Sequence, residues 1–181
     1  IIIVWLGNNT KSIILIALLT SVIVSIMTVL NGFEETDKDK IKLIDEEFDM
    51  PVPKSDPVTM KLTDEDKYQA AKTACALDRF VEKYKLTGLA YYYEGQPESI
   101  QRKVATTFIV GNSILNAQGI PMCGEFDIKT CVAMLIMDRL NIGGSFAEFH
   151  PFDFEEDFIL VGHDGPHHIA IAEGKPVLRS L

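Results

Sequence analysis

The first thirty residues form the most apolar part of the chain. Residues 1–6 are an apolar run followed by a polar loop, a pattern that predicts a buried strand. Residues 13–30 then carry no charged side chain, which reaches the threshold length for a transmembrane helix. Ten of these eighteen residues are β-branched, and neither flank carries a cluster of Lys or Arg. We therefore favour buried strands or a core helix over a membrane span. A third interpretation is that the sequence joins pieces that are not contiguous in the native chain, which would create the appearance of a span.

Residues 33–66 change the pattern from apolar to charged. Three prolines between positions 51 and 57 prevent a continuous helix there, so we interpret the segment as a connection. Residues 34–66 hold twelve acidic side chains against five lysines, and they supply most of the net charge of −9. A solvated acidic surface is the favoured interpretation of this excess, with cation binding as the alternative. Nothing in the chain resembles the basic surface of a nucleic-acid-binding protein.

A helix is predicted to begin after Thr63, because Thr63 and Asp66 have the spacing of a capping box. Its apolar positions recur every three or four residues and make one face: Ala70, Ala74, Leu77, Val81 and Tyr84. We expect Gly88 to end this helix and residues 89–93 to follow as a strand.

Two more helices are predicted in the second half of the chain. One covers residues 99–118, with Gly119 as its C-terminal cap. The other covers residues 125–141 and is apolar nearly all round, so we expect it to be buried. Residues 158–162 then form a short apolar run that predicts a strand.

The cysteines predict no disulfide framework. Cys75, Cys123 and Cys131 are odd in number and lack the C-x-x-C spacing, so reduced thiols in a cytoplasmic protein are the simplest account. Cys123 lies two residues before an acid, but we favour a buried, small apolar role for it.

Three side chains with metal-binding chemistry lie at the ends of predicted elements. Glu125 stands at the start of the helix over 125–141, Glu148 closes a small apolar run, and His163 follows the strand over 158–162. Two carboxylates and an imidazole are donors that suit a divalent metal ion. The alternative is structural, since a histidine in a glycine-rich turn often only supports the turn. For Asp127 we favour a role at the positive end of the helix.

The residues around these side chains form short motifs in a defined order. They are Gly124-Glu125-Phe126-Asp127 followed by Lys129-Thr130, Gly143-Gly144-Ser145-Phe146 followed by Glu148, Leu160 with Gly162-His163, and Ile169-Ala170-Ile171-Ala172 followed by Lys175-Pro176. In order, spacing and residue type this set resembles the L-arabinose isomerases, and more loosely the wider fucose/arabinose isomerase group. The resemblance extends over about sixty residues, a third of the chain.

The resemblance implies a metal-dependent aldose–ketose isomerase acting on a free sugar such as L-arabinose. It implies a Rossmann-like, three-layer α/β architecture and a cytoplasmic homo-oligomer, a hexamer in the family. The expected cofactor is Mn²⁺, or another divalent ion such as Co²⁺ or Mg²⁺. By motif, Glu125 and Glu148 would be both metal ligands and the acid/base pair, and His163 would be a third ligand. A carboxylate in that position can move a proton between C1 and C2 of the sugar through an enediol.

The resemblance also sets the expected organisation. Residues 1–50 would be an N-terminal apolar segment that matches nothing in the family, residues 51–118 an α/β middle region, and residues 119–181 part of the catalytic region. The family's fourth ligand, a histidine, and its C-terminal β-rich domain would lie beyond the end of this sequence. The sequence begins at Ile1 rather than Met and stops after a strand-like run, so we expect a piece of a longer chain. Two alternatives to the isomerase stay open: a non-catalytic sugar- or metal-binding module, and a membrane-anchored protein.

Overall fold

Helices and strands are mixed along the chain, as expected for the α/β class. The computed structural model describes residues 2–6, 12–16, 37–50, 62–92, 98, 102, 104 and 106–179. The helices are α1 (Asp37–Glu47), α2 (Asp64–Tyr84), α3 (Phe108–Ala117) and α4 (Ile128–Arg139), with a short 3₁₀ helix at Ile169–Ile171. The strands are β1 (Ile2–Leu6), β2 (Ser12–Ile16), β3 (Leu86–Ala90), β4 (Met122–Cys123), β5 (Glu148–Asp153) and β6 (Phe158–Gly162).

Four strands form one sheet in the order β1-β2-β3-β4, and β5 and β6 form a separate antiparallel pair. In the larger sheet β1 and β2 are antiparallel, whereas β2 with β3 and β3 with β4 are parallel. Parallel pairing brings the carboxyl ends of β3 and β4 to the same edge, with Ala90 opposite Cys123. The residues that follow these two strands are therefore neighbours, although about thirty residues separate them in sequence.

The strand predicted at the N-terminus is confirmed as Ile2–Leu6. The start of the uncharged segment 13–30 is also a strand, because β2 covers Ser12–Ile16. The rest of that segment, residues 17–30, lies outside the described residues. Among the helices in the described part of the chain, none is long and apolar enough to cross a membrane.

Helix α1 corrects the interpretation of residues 33–66 as a connection. Apolar side chains recur along it at spacings of three and four, at Ile41, Ile44 and Phe48, and form a narrow stripe. Ile44 and Phe48 are buried against Val110 and Ile114 of α3 and against Ala71 of α2. The stripe is difficult to recognise in the sequence because the side chains on the other faces of α1 are mostly charged and exposed. The proline-rich residues 51–61 lie outside the described residues.

Helix α2 begins as predicted and ends earlier than predicted. The capping box is present: Thr63 Oγ1 accepts from the backbone N–H of Asp66, and Asp66 accepts from the backbone N–H of Thr63. The prediction that Gly88 ends the helix is wrong. Lys85 ends it by adopting a left-handed conformation, φ 52°, from which its N–H donates to carbonyls of the last turn. Strand β3 then begins at Leu86, three residues before the strand predicted over 89–93.

The main core lies between α2, α3 and β3. Large apolar side chains of these elements bury one another, among them Leu77, Phe80, Leu89, Phe108 and Leu115. Burial of each such side chain contributes roughly 1.5–3 kcal/mol relative to exposure. Gly111 lets α3 approach α2 closely, since a β-carbon at this position would lie 2.9 Å from Ala74 Cα.

The later helices occur where they were predicted, with different bounds. Helix α3 covers Phe108–Ala117, residues 102, 104 and 106 before it are also helical, and residues 99–101, 103 and 105 lie outside the described residues. Gly119 follows α3 with φ 77°, which confirms the predicted glycine cap. Helix α4 begins at Ile128, after a turn that contains Glu125. The prediction that α4 is buried all round is wrong. Only Cys131, Met134 and Leu135 are buried, and Ile136 is 55% exposed.

We predict that Gly111→Ala destabilises the protein by about 1–3 kcal/mol, because the added methyl group meets backbone of α2 that must shift. The gain in helix propensity, about 1 kcal/mol, offsets this only in part. Urea unfolding of both proteins measures the difference. Gly174→Ala is the matched control, since a β-carbon there meets nothing within 4 Å. A Gly111→Ala variant as stable as the wild type would show that the two helices do not pack this closely.

Candidate functional site

Two of the three predicted site residues are in direct contact. Strand β5 begins with Glu148, strand β6 ends with Gly162, and the antiparallel register places these two residues opposite each other. His163 follows Gly162, so its ring lies beside the Glu148 carboxylate. Glu148 Oε2 is 3.0 Å from His163 Nδ1. The His163 side chain is 12% exposed and that of Glu148 is 35% exposed, so the pair is partly shielded from solvent.

The contact determines which nitrogen of His163 carries the hydrogen and which nitrogen stays open. An ionised carboxylate only accepts hydrogen bonds, so Nδ1 of His163 carries the hydrogen and Nε2 of the neutral ring has a free lone pair. Glu148 Oε1 has no hydrogen-bond partner among the described residues. A histidine held by a carboxylate at one nitrogen and open at the other is the usual state of a metal-binding imidazole.

Phe146 connects this pair to the core. Its ring meets the His163 ring edge-on, with centroids 4.8 Å apart. Phe146 is 6% exposed and packs with Ala90, Cys123 and Met134. Ala90 and Cys123 are the last residues of β3 and β4, so the pair lies close to the carboxyl edge of the parallel strands. Open α/β sheets bind their ligands at this edge.

Gly165 lies close to the open nitrogen of His163. A β-carbon at position 165 would lie 2.5 Å from His163 Nε2, closer than any real contact allows. A glycine is therefore required here if the ring is to keep its orientation. The lone pair at Nε2 is the one that could bind a metal ion, and Glu148, which is bonded to Nδ1 on the other side of the ring, orients the imidazole.

Glu125 lies in the turn that connects β4 to α4, at the same edge of the sheet. Glu125 and Phe126 both have a left-handed backbone, with φ 59° and 56°. For residues with a β-carbon this conformation costs about 1–2 kcal/mol each. The backbone N–H of Phe126 donates to the Tyr91 carbonyl at 2.9 Å, and its ring stacks on Tyr92, which helps to hold the turn. Strained turns of this kind occur preferentially at functional sites.

Glu125 itself is exposed, and the structure does not bring it into one cluster with the other two residues. Across the ranges that the structure describes, no three His, Cys, Asp or Glu side chains are grouped so that they could hold a metal ion. The structure therefore assembles two of the predicted donors, Glu148 and His163, and places Glu125 at the neighbouring strand end.

Asp127 has the structural role predicted for it. It is the N-cap of α4, and its carboxylate accepts from the hydroxyl and the backbone N–H of Thr130, at 2.6 and 2.9 Å. These bonds, the one from the hydroxyl first, hold the pKa of Asp127 below its usual value.

The cysteines are free thiols in the core, as predicted. Cys123 and Cys131 are fully buried, and the hydrogen bond with Cys131, followed by burial, raises the pKa of the Cys123 thiol. Cys123 therefore stays protonated at neutral pH and fills space beside Met134, with Sγ 3.4 Å from Sδ.

Sequence reasoning missed Ser145 and His167 as members of the site. The His167 ring bonds to Ser145 Oγ and to the backbone oxygen of His163. The only sequence feature that could have indicated them is their nearness to the predicted site residues: His167 follows His163 by four residues, and Ser145 precedes Glu148 by three. The same segment borders a cavity of about 300 Å³ between α3 and residues 165–178.

No protein-family model matches this chain, and no curated protein matches it significantly.

We predict that Gly165→Ala turns the His163 ring away from Glu148, because the new methyl group overlaps Nε2. The ring can move, so the free energy of unfolding should change by less than about 1 kcal/mol. NMR measurement of NOEs between the His163 and Phe146 rings tests this, and the NOEs should be lost. Gly162→Ala is the control on the other side of His163, since its β-carbon has ordinary contacts at 3.8 Å and beyond. NOEs that persist in Gly165→Ala would contradict the close approach.

Proposed function

We propose that this chain carries part of the active site of a metal-dependent aldose–ketose isomerase. The substrate is a free sugar such as L-arabinose, converted to the corresponding ketose, L-ribulose. The observation that supports the proposal best is the contact between Glu148 and His163. These two residues come from separate motifs of the resemblance to L-arabinose isomerases, and that resemblance assigns both of them to one metal site.

The proposed metal donors are His163, Glu148 and Glu125, and the Glu148 carboxylate would have to release Nδ1 of His163 to share one ion with it. The contact between Glu148 and His163 supports the placing of these two residues in one site. The ion is Mn²⁺, or a similar divalent ion such as Co²⁺ or Mg²⁺. When bound, the ion would polarise the carbonyl and hydroxyl oxygens at C1 and C2 of the sugar.

The two glutamates do the proton transfer in this proposal. One carboxylate removes the proton from C2 of the aldose, while the other, as the carboxylic acid, gives a proton to the carbonyl oxygen at C1, which forms the enediol. The first then returns its proton to C1, and the second takes the proton of the C2 hydroxyl as the new carbonyl forms. Glu148 is suited to this work because it is partly shielded and held in place through one oxygen only.

The finer architecture belongs to the proposal as well. We infer a Rossmann-like, three-layer α/β arrangement, with a C-terminal β-rich domain and a fourth histidine ligand outside this sequence. The parallel strands β2, β3 and β4 with helices packed around them support it.

We further infer that the protein is a homo-oligomer. Strands β5 and β6 expose large apolar side chains: Phe149, Phe152, Phe158, Leu160 and Val161 are all more than half exposed. By register, Phe149, Phe152 and Val161 lie on one face of this pair, and contiguous apolar surface of this kind often marks an interaction site.

We expect Glu148→Gln to weaken Mn²⁺ binding at least tenfold, because the amide keeps the shape of the side chain but loses its charge. Glu125→Gln should also weaken binding, and any turnover of L-arabinose should fall by about 10²–10⁴ in either variant. Calorimetric titration with Mn²⁺ and an assay for ketose make the two measurements.

Glu156→Gln is the matched control, since it makes the same charge change at an exposed position in the turn between β5 and β6. It should bind Mn²⁺ like the wild type. Equal binding by the wild type and both site variants would end the isomerase proposal. Binding that depends on Glu148 but comes without turnover would favour a non-catalytic metal- or sugar-binding module instead.

A further inference from the structure

Two hydrogen bonds connect the ring of His167 to the residues around the Glu148–His163 pair. Its Nε2 lies 2.8 Å from the backbone oxygen of His163, and its Nδ1 lies 3.1 Å from Ser145 Oγ. The two imidazole rings meet edge-on, with centroids 5.8 Å apart. His167 therefore joins the backbone that carries His163 to the glycine-rich segment that precedes Glu148.

The partners of His167 define its tautomer. A carbonyl oxygen can only accept, so Nε2 of His167 carries the hydrogen. In the neutral ring Nδ1 then accepts, and the donor is the Ser145 hydroxyl. The oxygen of that hydroxyl also accepts from the backbone N–H of His168, at 3.2 Å. Both ring nitrogens of His167 are thus engaged within the protein, and neither offers a lone pair to a metal ion.

The same segment is fixed to the core through Ser113. The backbone N–H of His167 donates to Ser113 Oγ at 3.1 Å, and the Ser113 hydroxyl donates to the Ile109 carbonyl at 2.8 Å. Ser113 is 4% exposed and belongs to α3. His167, which bonds to the His163 carbonyl, is therefore held from one side by the core helix and from the other by Ser145.

From this arrangement we propose that Ser145 and His167 are positioning residues, which hold His163 so that its Nε2 stays directed to one point. His167 is not itself a metal donor. The metal-dependent part of this inference rests on the proposed function, whereas the positioning of the His163 ring does not. Residues that orient a metal-binding histidine typically change metal affinity by about 10–100-fold when they are removed.

The first test uses the metal-free protein and long-range ¹H–¹⁵N NMR, which reports the tautomer of each histidine. In the wild type we expect His163 protonated at Nδ1 and His167 at Nε2. Ser145→Ala should turn His167 into a mixture of tautomers, because Nδ1 loses its donor. His167→Ala should do the same to His163, because its backbone is no longer held. His150→Ala is the control, since His150 lies on β5 outside this set of hydrogen bonds, and it should leave both tautomers unchanged.

The second test is Mn²⁺ titration of two substitutions at the same position. His167→Ala should weaken binding about tenfold or more. His167→Gln places an amide N–H where Nε2 was, so it can still donate to the His163 carbonyl and should bind within about threefold of the wild type. His167 is exposed, so both variants are expected to keep the core intact.

The outcomes separate the two proposals. If His167→Gln loses as much affinity as His167→Ala while the His163 tautomer is unchanged, His167 is a metal donor and this inference is overturned. Unchanged tautomers in Ser145→Ala and His167→Ala would overturn it as well. If the wild type binds no Mn²⁺ but the tautomers respond as expected, the positioning role stands and the isomerase proposal fails.

Discussion

The register between β5 and β6 is the constraint on which the site depends. Glu148 lies opposite Gly162, and only this pairing brings its carboxylate to the ring of His163. Because side chains alternate between the two faces of a strand, a slip of one residue would turn Glu148 away from His163. The pair of strands is exposed on much of its surface, and two strands alone are marginally stable in water. The register must therefore be held by contacts outside the two strands.

Phe146 and the residues after His163 supply these contacts. Phe146 is buried among the last residues of β3 and β4 and touches His163, which attaches the pair to the carboxyl edge of the sheet. Ser113 and Ser145 hold the segment that follows His163 through His167. The strained turn with Glu125 leaves the same edge of the sheet. All three predicted site residues thus depend on the parallel pairing of β3 with β4, even though only two of them touch.

The proposed chemistry needs this combination of a rigid support and an open donor. His163 is restrained at Nδ1, at its ring edge and at its backbone carbonyl, and is left open at Nε2. Glu148 is restrained at one oxygen. Donors that are held before the ligand arrives bind it without a further loss of conformational freedom, which is why such preorganisation favours binding and catalysis. Gly165 is needed for this arrangement, because the β-carbon of any other residue at this position would overlap Nε2 of His163.

Sequence alone determined the features whose causes lie within a few residues of one another. The capping box at Thr63, the glycine cap at Gly119 and the N-cap role of Asp127 were all predictable, since each rests on hydrogen bonds between near neighbours in the chain. The motifs also singled out Glu148 and His163 as candidates for one site. The tertiary structure decided which of these residues meet, that α1 docks on α2 and α3, and that one face of α4 is exposed. It also decided that His167 supports His163. These features depend on strand register and on packing between distant segments, and neither is encoded in the local pattern of residues.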